Sequence, residues 1–164
     1  MNKKLIVGII LLLLIIIIGL AYYNEGNKAN SEIPNINSHL QNGNDKYNQA
    51  VTYLNAKNYS QTIENINESY KEYLMANESN NIALSKSIKN NQSLQVQYFN
   101  LTKNEIEYKI NACINMFNGL NYVNTNPSKA LSLFKNSDDF MGDAKEYSDK
   151  RKQLEEQYPD KFIK

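Results

Sequence analysis

The sequence predicts an all-α protein: an N-terminal transmembrane helix, then an extracytoplasmic four-helix antiparallel bundle or a pair of helical hairpins. Three observations carry that expectation. Residues 5–23, LIVGIILLLLIIIIGLAYY, hold no charge, and Asn44 to Asn118 contain neither proline nor glycine. Beyond Asn44 the apolar residues recur at spacings of three and four and never sustain a strand-like alternation.

Taken as a helix at about 1.5 Å per residue, residues 5–23 span roughly 28 Å, against about 30 Å of bilayer hydrocarbon. The run exceeds the apolar region of roughly 7–15 residues in a cleavable signal peptide. It ends in Leu20-Ala21-Tyr22-Tyr23, and no cysteine nearby can take a lipid, so it reads as an uncleaved signal anchor. A helix packed against the core of a small domain would show a polar face, and this segment has none. Lys3 and Lys4 precede the span while Glu25, Lys28 and Glu32 roughly balance after it. The positive-inside bias therefore makes residues 1–4 a cytoplasmic stub and puts everything beyond Tyr23 outside a cell membrane crossed once.

Residues 24–43 contain Gly26, Pro34 and Gly43 among many Asn and Ser, which predicts a flexible linker. His39, the single histidine, is expected there as a solvated residue. The helical domain then covers 44–158. Its first helix is expected at 45–56, capped by Asn44, with Tyr47, Ala50, Val51 and Leu54 on one face. Asn58, with Gln61 three residues on, caps a second helix over 59–89. That helix carries Tyr59, Ile63, Ile66, Tyr70 and Tyr73 as an inward stripe, and the polar run Asn77 to Asn81 predicts a kink near Asn80 before Leu84 and Ile88.

Lys89 to Gln92 reads as a turn. The third helix follows over 93–122, with Val96, Phe99, Ile106, Ile110, Cys113, Phe117 and Leu120 as a buried heptad seam broken at Lys103. Thr102 and Glu105 form a capping-box pattern flanked by Leu101 and Ile106, so either a continuous helix or a restart at Thr102 is open. Asn126-Pro127 opens the fourth helix, over 127–157, with Leu133, Ser137, Phe140, Ala144, Tyr147, Leu154 and Tyr158 on one face and Arg151 interrupting. Residues 159–164 are left as a tail.

The stretch Tyr53 to Tyr73 resembles the tetratricopeptide repeat, a two-helix unit in which small residues let the helices cross closely and an aromatic opens the second helix. Ala50 stands at the first small position, Tyr59 opens the second helix, and Thr62 and Ser69 stand where alanines are usual, with Ile63 and Ile66 as the large partners. The match covers about residues 46–69, and where the family has a glycine at the turn this chain has Lys57. A fainter copy over 126–137 places Ala130, Leu131, Phe134 and Ser137 like Thr62, Ile63, Ile66 and Ser69. The resemblance implies a protein-protein interaction or scaffold module, and the anchor and linker make an envelope protein the expected partner. A small-ligand sensor or binding bundle is the alternative.

Composition narrows the other classes. Without Lys3 and Lys4 the net charge falls from +1 to about −1, which lacks the basic footprint of a nucleic-acid partner. With the one histidine in the expected linker and the one cysteine on a core seam, no Ser-His-Asp or Cys-His arrangement and no zinc site is expected within the chain, and six scattered glycines form no phosphate loop, so no enzyme and no cofactor are expected. Asp138, Asp139 and Asp143 fall on a helix instead of a tight calcium loop, and Glu155-Glu156 reads as helix-surface charge beside Lys150 to Lys152. Twelve tyrosines are available for bundle edges; Tyr53, Tyr70, Tyr73 and Tyr98 are the candidates for a partner groove. Sequons at Asn67, Asn77, Asn91 and Asn100 are candidate glycosylation sites, with a fifth, Asn58, engaged as a cap.

Overall fold

The computed structural model describes residues 29–162, which form an all-α, four-helix arrangement with no strand among them. The helices are α1 (Ile33–Asn55), α2 (Tyr59–Lys89), α3 (Ser93–Leu120) and α4 (Pro127–Gln157), followed by a 3-10 turn, Pro159–Lys161. Short turns make consecutive helices antiparallel neighbours, and the main packings are α1 on α2, α2 on α3 and α3 on α4. No described helix is long and apolar enough to cross a membrane. The stub at 1–4, the anchor at 5–23 and residues 24–28 lie outside the described residues.

The linker expected over 24–43 is helical from Ile33 onward, and this is the largest correction to the sequence reading. Ile33, Ile36, Leu40, Gly43, Tyr47 and Ala50 are buried at spacings of three and four, a stripe thinly spread through Asn and Ser. Pro34 sits in the first turn, where a missing N–H is harmless. Gly43 is required by its neighbour: a Cβ there would run into the Tyr73 ring, and Ser69 Oγ donates to the Gly43 carbonyl at 2.8 Å. Asn44, expected as a cap, is an interior residue whose Oδ1 accepts from Tyr73 Oη at 2.9 Å. His39 is half-buried, with Nδ1 2.7 Å from Glu72 Oε2, and is not a free solvated residue.

The helix starts obey local chemistry. Asn58 Oδ1 accepts from Gln61 N at 3.3 Å, and Asn126 Oδ1 from Lys129 N at 3.1 Å. α2 runs unbroken through the polar patch because Asn80 turns inward and donates to the Phe99 carbonyl at 3.0 Å. α3 is continuous through Thr102, whose hydroxyl bonds back to the Tyr98 carbonyl at 2.9 Å instead of capping a new helix. Residues 159–162 are fastened: Phe162 is buried and stacks on Tyr98 with ring centroids 4.6 Å apart, while Asn30 Nδ2 donates to the Lys161 carbonyl at 2.7 Å. The start of α1 and the end of α4 therefore share one end of the bundle.

The turns closing α1 and α2 each use a left-handed residue, Lys57 at φ 58° and Asn91 at φ 53°. Asparagine tolerates that region, whereas a lysine Cβ crowds the following carbonyl. Lys57→Gly is expected to stabilise the fold by about 0.5–1 kcal/mol, read as a higher urea midpoint with an unchanged slope. An unchanged or lower midpoint would show that the turn carries no such strain.

Candidate functional site

Charge is buried in the bundle centre. Glu105, Lys109 and Arg151 are each less than a tenth exposed. Arg151 Nε donates to Glu105 Oε2 at 3.2 Å, and its Nη1 reaches Asn37 Oδ1 at 2.9 Å and Tyr98 Oη at 2.8 Å. Tyr98 Oη donates in turn to Glu155 Oε1 at 2.8 Å. On the other side Lys109 Nζ stands 3.7 Å from Glu105 and donates to Asn44 Oδ1 at 2.6 Å. Two cations face two carboxylates, and the chain of contacts touches all four helices when Tyr73 is included. Glu155, expected as surface charge, is a partner in this network, and Arg151 does not interrupt the packed face but crosses it.

The electrostatics follow from burial. Desolvation lowers the Lys109 pKa against the opposing pull of Glu105. Desolvation also opposes charge on Arg151, but Glu105, Tyr98 and Glu155 outweigh it and raise its pKa. Burial pushes the hydroxyls of Tyr47, Tyr73 and Tyr98 well above the usual phenol range, and the Cys113 thiol up to about 11. Cys113 is buried with Ser69 Oγ at 3.5 Å, and desolvation holds the thiol protonated against the smaller opposing pull of Lys109.

These shifts fix an alkaline limit. The unfolded chain ionises its thiol near pH 9 and its phenols near 10, whereas the folded chain holds four such protons longer. Their contribution is complete below about pH 9 and is lost as pH rises through the folded values; Lys109 opposes with one group. Stability is expected to fall across pH 9 to 11, with tyrosinate absorbance rising in two phases, the second coincident with unfolding. A single phase on the folded protein would contradict it.

The four candidate groove tyrosines are not brought together. Tyr73 and Tyr98 are fully buried in the polar centre, Tyr53 is half-buried on α1, and Tyr70 lines a surface cleft. That cleft lies between α2 and α3, has a volume of about 160 Å³, and is lined by Ile66, Asn67, Tyr70, Cys113, Ile114, Phe117 and Asn118. Of its lining, Ile114 and Phe117 are each roughly two-fifths exposed, as are Ile63 and Leu74 on α2.

The face exists because α2 packs with its small side inward. Thr62, Ser69, Ala76, Ala83 and Ser87 are buried with Ile66, Tyr73 and Asn80, while Ile63, Leu74, Ile82 and Ile88 face water. The inward stripe expected to hold Ile63 and Ile88 is corrected accordingly, as is Phe117 on the third-helix seam. Small residues let α1 and α3 approach closely; Ala50, Thr62, Ser69, Ala130 and Ser137 are all buried. The signal for this face was in the sequence, since α2 carries two stripes, but nothing local says which is inside.

A second opening lies between the end of α1, with the α1–α2 turn, and the first turns of α4. Val51, Leu54, Asn55 and Lys57 line one side and Leu131, Phe134, Lys135 and Asp138 the other, with Tyr59 and Met116 between, around a volume of about 450 Å³. Just below it Ser137 Oγ donates to the Ala112 carbonyl at 2.7 Å, so the Tyr47 hydroxyl, 2.6 Å away, donates to Ser137 and ties α1 to α4. Of the sequon asparagines, Asn67, Asn91 and Asn100 are exposed and Asn77 is half-buried. A glycan on Asn67 would cover the α2/α3 cleft.

No group of three or more His, Cys, Asp or Glu side chains is placed to hold a metal ion among the described residues. Comparison with protein-family models, curated proteins and solved structures finds no match.

Proposed function

We propose that the chain is a membrane-anchored, extracytoplasmic helical interaction or scaffold module that recruits a protein of the cell envelope through the α2/α3 face. The observation that carries this reading is the inverted packing of α2, which spends its small residues on the bundle and presents Ile63, Tyr70 and Leu74 to water beside Ile114 and Phe117. Exposed aliphatic residues clustered around a cleft mark a surface that gains by being covered. The tetratricopeptide-like spacing of Ala50, Thr62 and Ser69 supports the same reading by analogy.

The charge-free run over residues 5–23 supplies the anchor in this proposal. The start of α1 then lies at the membrane side, and its 23 residues carry the α1–α2 turn about 35 Å outward. The module acts by binding, without cofactor and without nucleic acid. Topology is tested with Gln41→Cys, an exposed position, since buried Cys113 gives no background. An impermeant maleimide is expected to label it on intact cells, and protection until lysis would reverse the orientation.

Partner recruitment is tested by crosslinking the tagged full chain in its own cells, with Phe117→Asp and Ile114→Asp as comparisons. A specific protein captured by the wild type and lost in both variants is the expected result. An identical captured set from all three would sink the α2/α3 reading.

A further inference from the structure

The opening between α1 and α4 has a chemistry of its own, independent of the α2/α3 face. Its volume of about 450 Å³ lies within the range of small-molecule sites, and its interior is aliphatic and aromatic: Val51, Leu54, Met116, Leu131 and Phe134. Leu131 is 70% exposed, the most exposed large hydrophobic side chain among the described residues, and stands in the wall of this opening. Gly119 lets Phe134 settle against α3, since a Cβ there would meet the Phe134 ring.

The rim is charged, and its cations are unengaged. Lys57 and Lys135 line the opening and form neither an ion pair nor a hydrogen bond through their ammonium groups, so both are free to meet a ligand there. Asp138 is the one carboxylate on the rim, so the mouth carries a net single positive charge. That balance suits a monoanion and not a dianion. Lys57 is also held at a left-handed turn position where glycine would be less strained, and a lysine there puts a cation at this mouth.

We propose that this opening binds an amphipathic monocarboxylate of the fatty-acid class, its chain against Met116, Phe134 and Leu131 and its carboxylate between Lys57 and Lys135. An apolar body with one charged end satisfies both halves of the site: burial of the chain removes Leu131 and its neighbours from water, and charge-assisted hydrogen bonds hold the head group.

The test uses the full chain in lipid nanodiscs and a diazirine-bearing octanoate, with adducts mapped by mass spectrometry after illumination. Adducts are expected within residues 51–59 and 131–138, displaced by octanoate about tenfold more effectively than by octanol or octylammonium. Lys57→Glu combined with Lys135→Glu, both exposed positions, is expected to keep the melting temperature and to favour octylammonium instead. Adducts confined to the α2/α3 face, equal competition by octanol, or an unchanged preference in the charge-reversed variant would each overturn the proposal. None of these outcomes bears on recruitment of a protein through Phe117, which the crosslinking comparison reads separately.

Discussion

Arg151→Ala is expected to destabilise the bundle by about 3–5 kcal/mol. The cost does not come from losing a favourable ion pair, because burying two charges is itself expensive. It comes from Glu105, 2% exposed, which would be left with Lys109 at 3.7 Å as its only cation, while Tyr98 and Asn37 each lose a hydrogen-bond partner. Against a total of roughly 5–15 kcal/mol that loss is a large share of the stability. The informative comparison is Arg151→Met combined with Glu105→Leu, which removes both charges and keeps similar volume. Denaturant melts should show the double variant more stable than Arg151→Ala. A double variant no better than the single would mean that Lys109, left as a buried cation, or the Tyr98 contacts dominate the energetics instead of the orphaned carboxylate.

The second large effect separates core from surface on two apolar residues of the same cleft. Ile66 is 1% exposed and Phe117 is 40% exposed. Ile66→Asp buries an unpaired carboxylate and is expected to unfold the domain, since the penalty of several kcal/mol rivals the whole stability. Phe117→Asp puts its charge in water and is expected to melt within about 0.5 kcal/mol of wild type. Only the second variant can therefore report on function. Circular dichroism melts of the pair check the contrast, and a Phe117→Asp variant that also unfolds would return that residue to the core and remove the proposed face.

Much of the helical framework was legible without coordinates. Asn58 and Asn126 cap helices within four residues of themselves, Pro127 pre-sets the first turn of α4, and the absence of proline and glycine from 44 to 118 leaves the helices uninterrupted. The start of α1 was not legible, because Ile33, Ile36 and Leu40 are diluted by Asn and Ser and flanked by Pro34 and Gly43, residues that ordinarily mark a linker. Gly43 shows why composition misled: it serves a close approach by Tyr73, which is 30 residues away. The candidate site was half visible. Tyr70 lines a cleft as expected, but Tyr73 and Tyr98 were expected beside it and instead hydrogen-bond to Asn44 and Glu155 inside the bundle.

What the sequence determined by itself was the helical class and the ends of α2, α3 and α4 to within about two residues. Each rests on interactions reaching no further than one helical turn, so local order is enough to specify them. Which face of α2 turned inward, and where Arg151 found its partners, was decided by tertiary structure alone. Arg151 meets Glu105 from 46 residues away and Asn37 from 114, and Thr62, Ser69 and Ala76 are buried because small side chains let neighbouring helices close on α2. Hydrophobicity would have put Ile63 and Leu74 inside, but close packing and the hydrogen bonds that accompany it put them outside.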